Sequence, residues 1–200
     1  MEKLNKYDVY YTVDGTDPRE SATAVKYTSA ISVSATTTIK AAAKNGSDWS
    51  DVATLSVTIP VLDSFRAIQE TAKNTAEKYV ITFDDAIVTA VSERHAYMVD
   101  SEGYGAFVYE ADHGFNVGDL VSGSAVGDVL IYNGMFEIQG VTADDLNVVS
   151  GQVVPVTETS IGNISIKDQC SVVTLTGLTL KKVNTAGVNV VLTDGFDDIT

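Results

Sequence analysis

Short runs of alternating residues, each stopped by turn-forming residues, recur along most of this chain. The first run, residues 9–13, places Val9, Tyr11 and Val13 on one side, which is the period-two pattern of a half-buried β-strand. Residues 14–18 (Asp-Gly-Thr-Asp-Pro) end the run, because Asp bonds its own backbone, Gly accepts a positive φ and Pro fixes φ. This patterning predicts a mainly β protein.

Residues 1–60 are predicted to form a first, small β module. Residues 36–43 and 55–59 carry the spacing of strands, an Asn-Gly hairpin turn stands at 45–46, and Pro60 ends the last strand. The chain therefore has the strands and turns of a compact sheet before its pattern changes.

This first module resembles the chitobiase/β-hexosaminidase C-terminal-type module, a small immunoglobulin-like β-sandwich appended to many bacterial surface and carbohydrate-active proteins. The resemblance is carried by YYTVDGTDP at residues 10–18, followed by Tyr27, Ile31 and TTIKA at residues 37–41. The family usually has further residues before this point that supply its opening strands. The resemblance implies that the native gene product begins earlier or that another chain completes the sheet, and unpaired edges favour strand-mediated self-association.

Residues 61–158 are predicted to form a second module with one leading helix. Helical spacing and an N-cap signal predict that helix over residues 63–78, from Asp63-Ser64, Phe65, Ile68, Ala72 and Ala76. Five longer strands follow it. VGDLVSG at residues 117–123 and YNGMFEI at residues 132–138 resemble OB-fold domains of secreted and lipid-anchored proteins from anaerobic Gram-negative bacteria. The resemblance implies a five-stranded OB-type barrel.

Residues 159–200 echo the opening of the second module. Residues 172–175, 183 and 194 repeat the pattern of residues 80–83, 91 and 100, with a longer hairpin around 185–187. We interpret this segment as an extra β-hairpin that starts a second OB-like repeat.

The net charge of −14 disfavours nucleic acid and anionic lipid as ligands. Residues 95–166 contain no Lys or Arg at all, and nucleic-acid binding depends on cations that displace phosphate counterions. No apolar run is long enough to span a membrane, and the first residues lack the apolar core of a signal peptide.

The residues favour a protein that is not an enzyme. His95 and His113 lie beside no nucleophile pattern and are interpreted as surface imidazoles, while adjacent carboxylates, such as those at 84–85 or 144–145, point to opposite faces of a strand. Cys170 is the one cysteine and is interpreted as a small buried apolar residue. No cofactor is predicted, with calcium as the open alternative at residues 110–112 or 194–198.

Aromatic residues are the candidate ligand-binding groups, because their rings stack on sugars. Trp49 is the sole Trp and is expected in a loop, whereas Tyr97, Tyr104 and Tyr109 fall on the second and third strands of the OB-like unit. OB folds bind oligosaccharides or oligonucleotides on that face. Since alternate residues must fill the barrel, packing is the competing role for each ring.

These observations lead to one functional hypothesis and one alternative. The hypothesis is a fragment of an extracellular or bacterial cell-surface protein that serves binding or spacing, with polysaccharide or another cell-surface protein as partner. The alternative is an accessory region of a larger hydrolase whose catalytic domain lies outside this chain.

Overall fold

A computed structural model describes residues 7–33, 35–183, 190–196 and 198–199. The chain divides into two compact units, Met1–Pro60 and Val61–Thr200. Strands take up 48% of the residues and helical turns 9%, so the mainly β prediction is confirmed. Within the described residues, no helix is both long and apolar enough to cross a membrane.

The first unit contains one antiparallel sheet, called here the N-terminal sheet. Its strands are β1 (Asp8–Thr12), β2 (Val25–Lys26), β3 (Thr37–Asn45), β4 (Asp48–Trp49) and β5 (Ala53–Val57). The order is β2-β1-β3, with β4 and β5 following one another along the free side of β3. Ser50 bridges these two short strands, since its N–H donates to the Ala43 carbonyl at 2.9 Å. All five described strands of this unit therefore belong to one layer.

The second unit contains a closed barrel of five strands, which confirms the predicted strand number. The elements of this region are β6 (Val61–Leu62), α1 (Phe65–Thr71), β7 (Glu77–Val91), β8 (His95–Val99), β9 (Gly105–Tyr109), β10 (Leu120–Tyr132), β11 (Met135–Gln139) and β12 (Asn147–Val149). The sheet order β7-β8-β9-β11-β10 closes on itself because β10 also pairs with β7. The β9–β11 pair is parallel and the other barrel pairs are antiparallel.

The length of two strands and an irregularity in each let the barrel close. β7 has 15 residues and β10 has 13, so each contributes to both of its neighbours along different parts of its length. Register shifts between Val88 and Ala90 and between Val121 and Gly123 bend these strands. Gly123 has a φ of 115°, a conformation that side chains other than glycine rarely adopt.

The helix α1 is shorter than the predicted span of residues 63–78. Ser64 caps it, with its Oγ accepting the Ala67 N–H at 3.2 Å, and Phe65 and Ile68 are its buried residues. The helix ends at Thr71 because Ala72 is already extended (φ −56°, ψ 143°), and the residues from Glu77 onward belong to β7. Glu77 and Lys78, the last residues of the span that helical spacing alone had predicted, therefore belong to a strand, because they pair with β10.

After the barrel, a segment without long strands packs onto it. This docked segment, residues 160–172, follows β13 (Val156–Thr159) and leads into β14 (Val172–Leu175), which pairs with β13 in parallel. Its Gln169 side chain accepts the Phe136 N–H at 3.3 Å and donates to the Gly134 carbonyl at 2.8 Å. The Thr89 hydroxyl donates to the Cys170 carbonyl at 2.6 Å. These bonds join the segment to three barrel strands or turns.

The last strands form a separate antiparallel sheet: β15 (Thr179–Val183), β16 (Val190–Thr193) and β17 (Asp198–Ile199). β14 and β15 belong to different sheets, whereas their counterparts in the proposed repeat are one continuous strand, β7. The hairpin predicted around residues 185–187 lies outside the described residues. A second OB-like repeat stays a prediction.

Candidate functional site: an aromatic cleft on the barrel

Strand alternation sorts the barrel residues into an interior and an outer face. On β8 and β9, Ala96, Met98 and Val108 point into the barrel and are fully buried. Their neighbours in sequence point outward and form two rows across β8, β9 and β11: His95–Tyr109–Gln139 and Tyr97–Phe107–Glu137. We call these six residues, together with Tyr132, the aromatic cleft.

The rings of this cleft contact one another. His95 stacks on Tyr97 with centroids 5.8 Å apart and planes inclined by 13°, and it lies 5.1 Å from Tyr109. Phe107 sits 5.6 Å from His95 and 5.7 Å from Tyr97. Phe107 is buried, whereas Tyr97 and Tyr109 are half-buried and Tyr132 is 58% exposed. The result is a ring-lined floor with accessible ring faces around it.

Polar groups lie beside these rings. Glu137 is only 3% exposed, and one of its carboxylate oxygens accepts a short hydrogen bond from the Gln139 amide. The Arg94 guanidinium lies 5.5 Å from the Tyr109 ring centre and donates to its hydroxyl at 3.1 Å. The Ser92 hydroxyl and His95 Nδ1 are 2.9 Å apart. A buried carboxylate and an amide at a cavity wall are groups that orient a hydroxyl-rich ligand.

The cavity in this cleft encloses about 370 Å³, within the range of small-molecule sites, and is lined by His95, Tyr109, Tyr132, Glu137 and Gln139. A larger cavity of about 500 Å³ lies where the docked segment meets β7 and β8. Two of the three carboxylates that line it, Asp85 being the third, are already engaged in structure. Asp100 accepts the backbone N–H groups of Phe65, Glu102 and Tyr104, and Asp168 caps the turn that begins at Ser165. The aromatic cleft is therefore the better candidate site.

The four predicted binding residues lie in three places. Tyr97 and Tyr109 meet in the aromatic cleft, as described above. Tyr104 packs against the barrel core, with the Lys167 Nζ 4.6 Å from its ring centre. Trp49 belongs to the N-terminal sheet, edge-on to Tyr10 with centroids 5.5 Å apart. These positions bring two of the four predicted residues together.

Two expectations about individual residues are wrong. Trp49 was expected in a loop, but it lies in β4, paired with Lys44, because the two-residue turn at 46–47 closes a tight hairpin. His113 was expected at the surface, but it is only 6% exposed. Its Nδ1 accepts the Phe115 N–H at 3.1 Å, so Nε2 carries the proton that is donated to the Ser92 carbonyl. His113 is therefore a buried residue whose two ring nitrogens bond to the backbone of Ser92 and of Phe115.

Among the described residues, no group of three or more His, Cys, Asp or Glu side chains is placed to hold a metal ion. Glu110, in the first candidate calcium loop, accepts the N–H groups of Ala111 and Gly140 and so fixes its own turn. The second candidate loop, residues 194–198, includes residue 197, which lies outside the described residues. Calcium binding stays a prediction for both.

Glu137 and Gln139 are the cleft residues that the sequence did not single out. Their alternation around Ile138 placed them on the outer face of a strand, and that signal was present in the sequence. The sequence did not indicate which strand lies beside β11. Glu137 lies beside Phe107 only because β11 pairs with β9 in parallel.

Comparison with known proteins adds a relation for the first unit. Residues 2–57 match the family described as Fn3 associated. The match indicates a fibronectin-type associated module with a coarse relation to immunoglobulin-like domains, and it agrees with the antiparallel sheet found there. It covers about a quarter of the chain and leaves the barrel outside. No curated protein and no solved structure matches the chain.

Proposed function

We propose that this chain is a non-catalytic binding region of an exported bacterial surface protein, in which an OB-type barrel binds carbohydrate through the aromatic cleft. The first unit would then be a chitobiase-type module, following the sequence resemblance given above. The observation that carries the proposal is the pair of outward rows across β8, β9 and β11, which sets four rings beside a buried carboxylate and an amide.

The chemistry of the cleft suits a sugar ring. The apolar face of a pyranose packs on an aromatic face, and its hydroxyls donate to carboxylate oxygens or exchange hydrogen bonds with an amide. Tyr109 offers a ring at the cavity wall, while Glu137 and Gln139 offer the polar partners. OB folds use the face of their second and third strands for oligosaccharides, and β8 and β9 hold those positions here.

The charge of the unit favours a neutral or cationic sugar over a nucleic acid. Residues 61–200 carry seven Lys and Arg and 20 Asp and Glu, a net charge of −13. Arg94 contacts the cleft, but it is already bound to Tyr109. A polyanion would therefore meet repulsion without the row of cations that phosphate binding requires. An oligonucleotide probe is expected not to bind at physiological salt.

A glycan array followed by calorimetry on the bound glycan tests the proposal. Tyr109→Ala should weaken binding about fivefold or more, since it removes a stacking face worth ~1 kcal/mol or more. Tyr109→Phe should retain most of the affinity because the ring remains. Trp49→Ala is the matched control, an aromatic truncation in the other unit, and it should leave the affinity unchanged.

Two results would overturn the proposal. Binding that disappears with Trp49→Ala but survives Tyr109→Ala would move the site to the N-terminal sheet. Silence across the array would favour a spacer or a protein-interaction region, and the search would turn to partner chains, including those of a larger hydrolase.

A further inference from the structure

The two faces of the N-terminal sheet differ in composition. The register aligns Tyr11, Ala41 and Ala53 across three strands, so they share one face. By the same alternation that face carries one charged strand residue, Asp48, which pairs with Asn45 at the end of β3, and a set of apolar residues: Val9, Val25, Ile39, Ala43, Leu55 and Val57. We call it the apolar face. The opposite face carries Asp8, Lys26, Lys40 and Lys44.

Among the described residues, the most deeply buried side chains of this sheet lie on its charged face. Thr12 is 1% exposed and Ala42 is 3% exposed on that side, and the turn that follows β1 folds back there, with the Thr12 hydroxyl donating to the Thr16 carbonyl at 2.6 Å. On the apolar face, in contrast, Leu55 is 60% exposed and Val25 52%. Tyr27, whose ring lies 6.3 Å from Tyr11, is 49% exposed.

The exposed area on the apolar face is comparable to the largest apolar patch of a typical monomer, a size that often marks an interaction site. The exposed fractions of its Val, Leu and Tyr side chains correspond to on the order of 400 Å² of apolar surface. A single-layer sheet with one apolar face is stable when a second layer packs on it about 10 Å away. Something of matching apolar character is therefore expected to cover this face.

We propose that the apolar face of the N-terminal sheet packs against the same face of a second copy of this chain. Two such faces would bury on the order of 800 Å² of apolar surface in total, near the lower limit of specific interfaces, so weak association is expected. The symmetry is that of an isologous dimer, in which one patch meets itself. The product is a two-layer sandwich built from two chains.

The shape of the face is self-complementary. The small residues Ala41 and Ala43 lie on the middle strand β3, and larger side chains such as Tyr11 and Leu55 lie on the strands to either side. In the proposed dimer the larger side chains of one copy would lie over the alanines of the other. Interdigitation of this kind is how sheet faces reach the packing density of a protein interior.

Charge does not oppose this contact. Residues 1–60 carry six Lys and Arg and seven Asp and Glu, a net charge of −1, against −13 for residues 61–200. Apart from Asp48 on the short strand β4, the charged side chains of the strands lie on the opposite face, so the rest of the two apolar faces meets without bringing like charges together. Of the two units, the first is the one through which copies of an acidic chain associate at the lowest electrostatic cost.

Sedimentation equilibrium of the whole chain over about 1 to 200 μM tests the proposal, since weak association raises the average mass as the concentration rises. Leu55→Lys should abolish the concentration-dependent increase in mass. Thr54→Lys is the matched control, because it adds the same charge to the same edge strand but on the opposite face. It should leave the association unchanged. Trp49 fluorescence checks that each variant keeps the sheet folded.

Three outcomes would overturn the proposal. The first is a wild-type chain that stays monomeric at every concentration. The second is association that survives Leu55→Lys. The third is equal loss with both lysine variants, which indicates pairing along the β5 edge. Should Leu55→Lys unfold the sheet, Val25→Thr on the same face takes its place and should weaken association at least threefold. Glycan binding by the barrel is a separate measurement and is expected to be unaffected.

Discussion

The barrel and the N-terminal sheet are built from the same kind of alternating strand, yet they bury their apolar residues to very different extents. In the barrel, Ile81, Met98 and Ile138 are fully buried, because closure turns one face of every strand toward a common interior. In the sheet, Leu55 and Val25 stand on an equally apolar face and are more than half exposed. The contrast teaches that alternation creates an apolar face, while a core requires a second layer or closure.

The reactivity of Cys170, in the docked segment, is the first test of this difference in burial between the two units. Burial raises the pKa of the Cys170 thiol to about 12 from an ordinary value of 9.0, so at pH 8 the reactive thiolate is depleted roughly thousandfold. A thiol reagent should therefore label native Cys170 slowly and the unfolded chain fast.

A cysteine on the sheet is the comparison for that measurement. Thr54→Cys in a Cys170→Ser background places a thiol at an exposed position of β5, where the labelling rate should be ordinary. Equal rates for the two native proteins would contradict the burial of the docked segment.

Truncation of one large residue in each unit should lower the free energy of unfolding by very different amounts. Phe83→Ala removes a fully buried ring that packs edge-on against Phe65 and should lower the free energy of unfolding of the barrel by about 3–5 kcal/mol. Leu55→Ala on the exposed face should cost less than about 0.5 kcal/mol at concentrations where the chain is monomeric. Urea unfolding followed by far-UV circular dichroism and by Trp49 fluorescence gives both values. Similar losses would mean that the sheet has a core of its own.

The contact between the barrel and the docked segment can be broken at Gly105. A Cβ at this position would lie 1.5 Å from the Gln169 carbonyl oxygen, so Gly105→Ala must displace the segment and should cost about 3 kcal/mol. Gly134→Ala has open space around its Cβ and should cost only about 1 kcal/mol for its positive φ of 80°. Labelling of Cys170 should accelerate in the first variant alone. Unchanged labelling there would show that the segment does not rest on Gly105.

The smallest expected effect concerns the acid stability of the sheet. Hydrogen bonds from the Thr16 side chain, the Thr23 side chain and the Thr16 backbone lower the pKa of Asp14 from 3.8 to about 2. Since the folded pKa is the lower one, Asp14 stabilises the sheet above about pH 4 and loses this contribution as the pH falls toward 2. Asp14→Asn should flatten the dependence of the Trp49-monitored unfolding midpoint between pH 5 and pH 2.5. An unchanged slope would show that other groups account for the acid sensitivity.

Part of the candidate site could be predicted from the sequence. Tyr97 and Tyr109 were named as candidate binding residues because aromatic rings on the predicted second and third strands can stack on a ligand, with packing in the barrel as the competing role. Tyr104 was named on the same grounds, but it precedes β9 in a turn held by Asp100, so the alternation of the strand does not apply to it. Glu137 was missed since its importance depends on the strand beside it, and a parallel pairing between β9 and β11 leaves no local mark in the sequence.

The sequence by itself determined the mainly β class, the turns, the strong acidity of residues 61–200 and the existence of one helix. Each of these depends on neighbouring residues or on a simple sum of charges. Only the tertiary structure decided that β10 closes the barrel onto β7, that the helix ends at Thr71 and that residues 160–172 pack on Gly105. These features depend on which distant strands pair and how closely two backbones approach. Such long-range pairings depend on packing across the whole unit, and no short stretch of sequence specifies that packing.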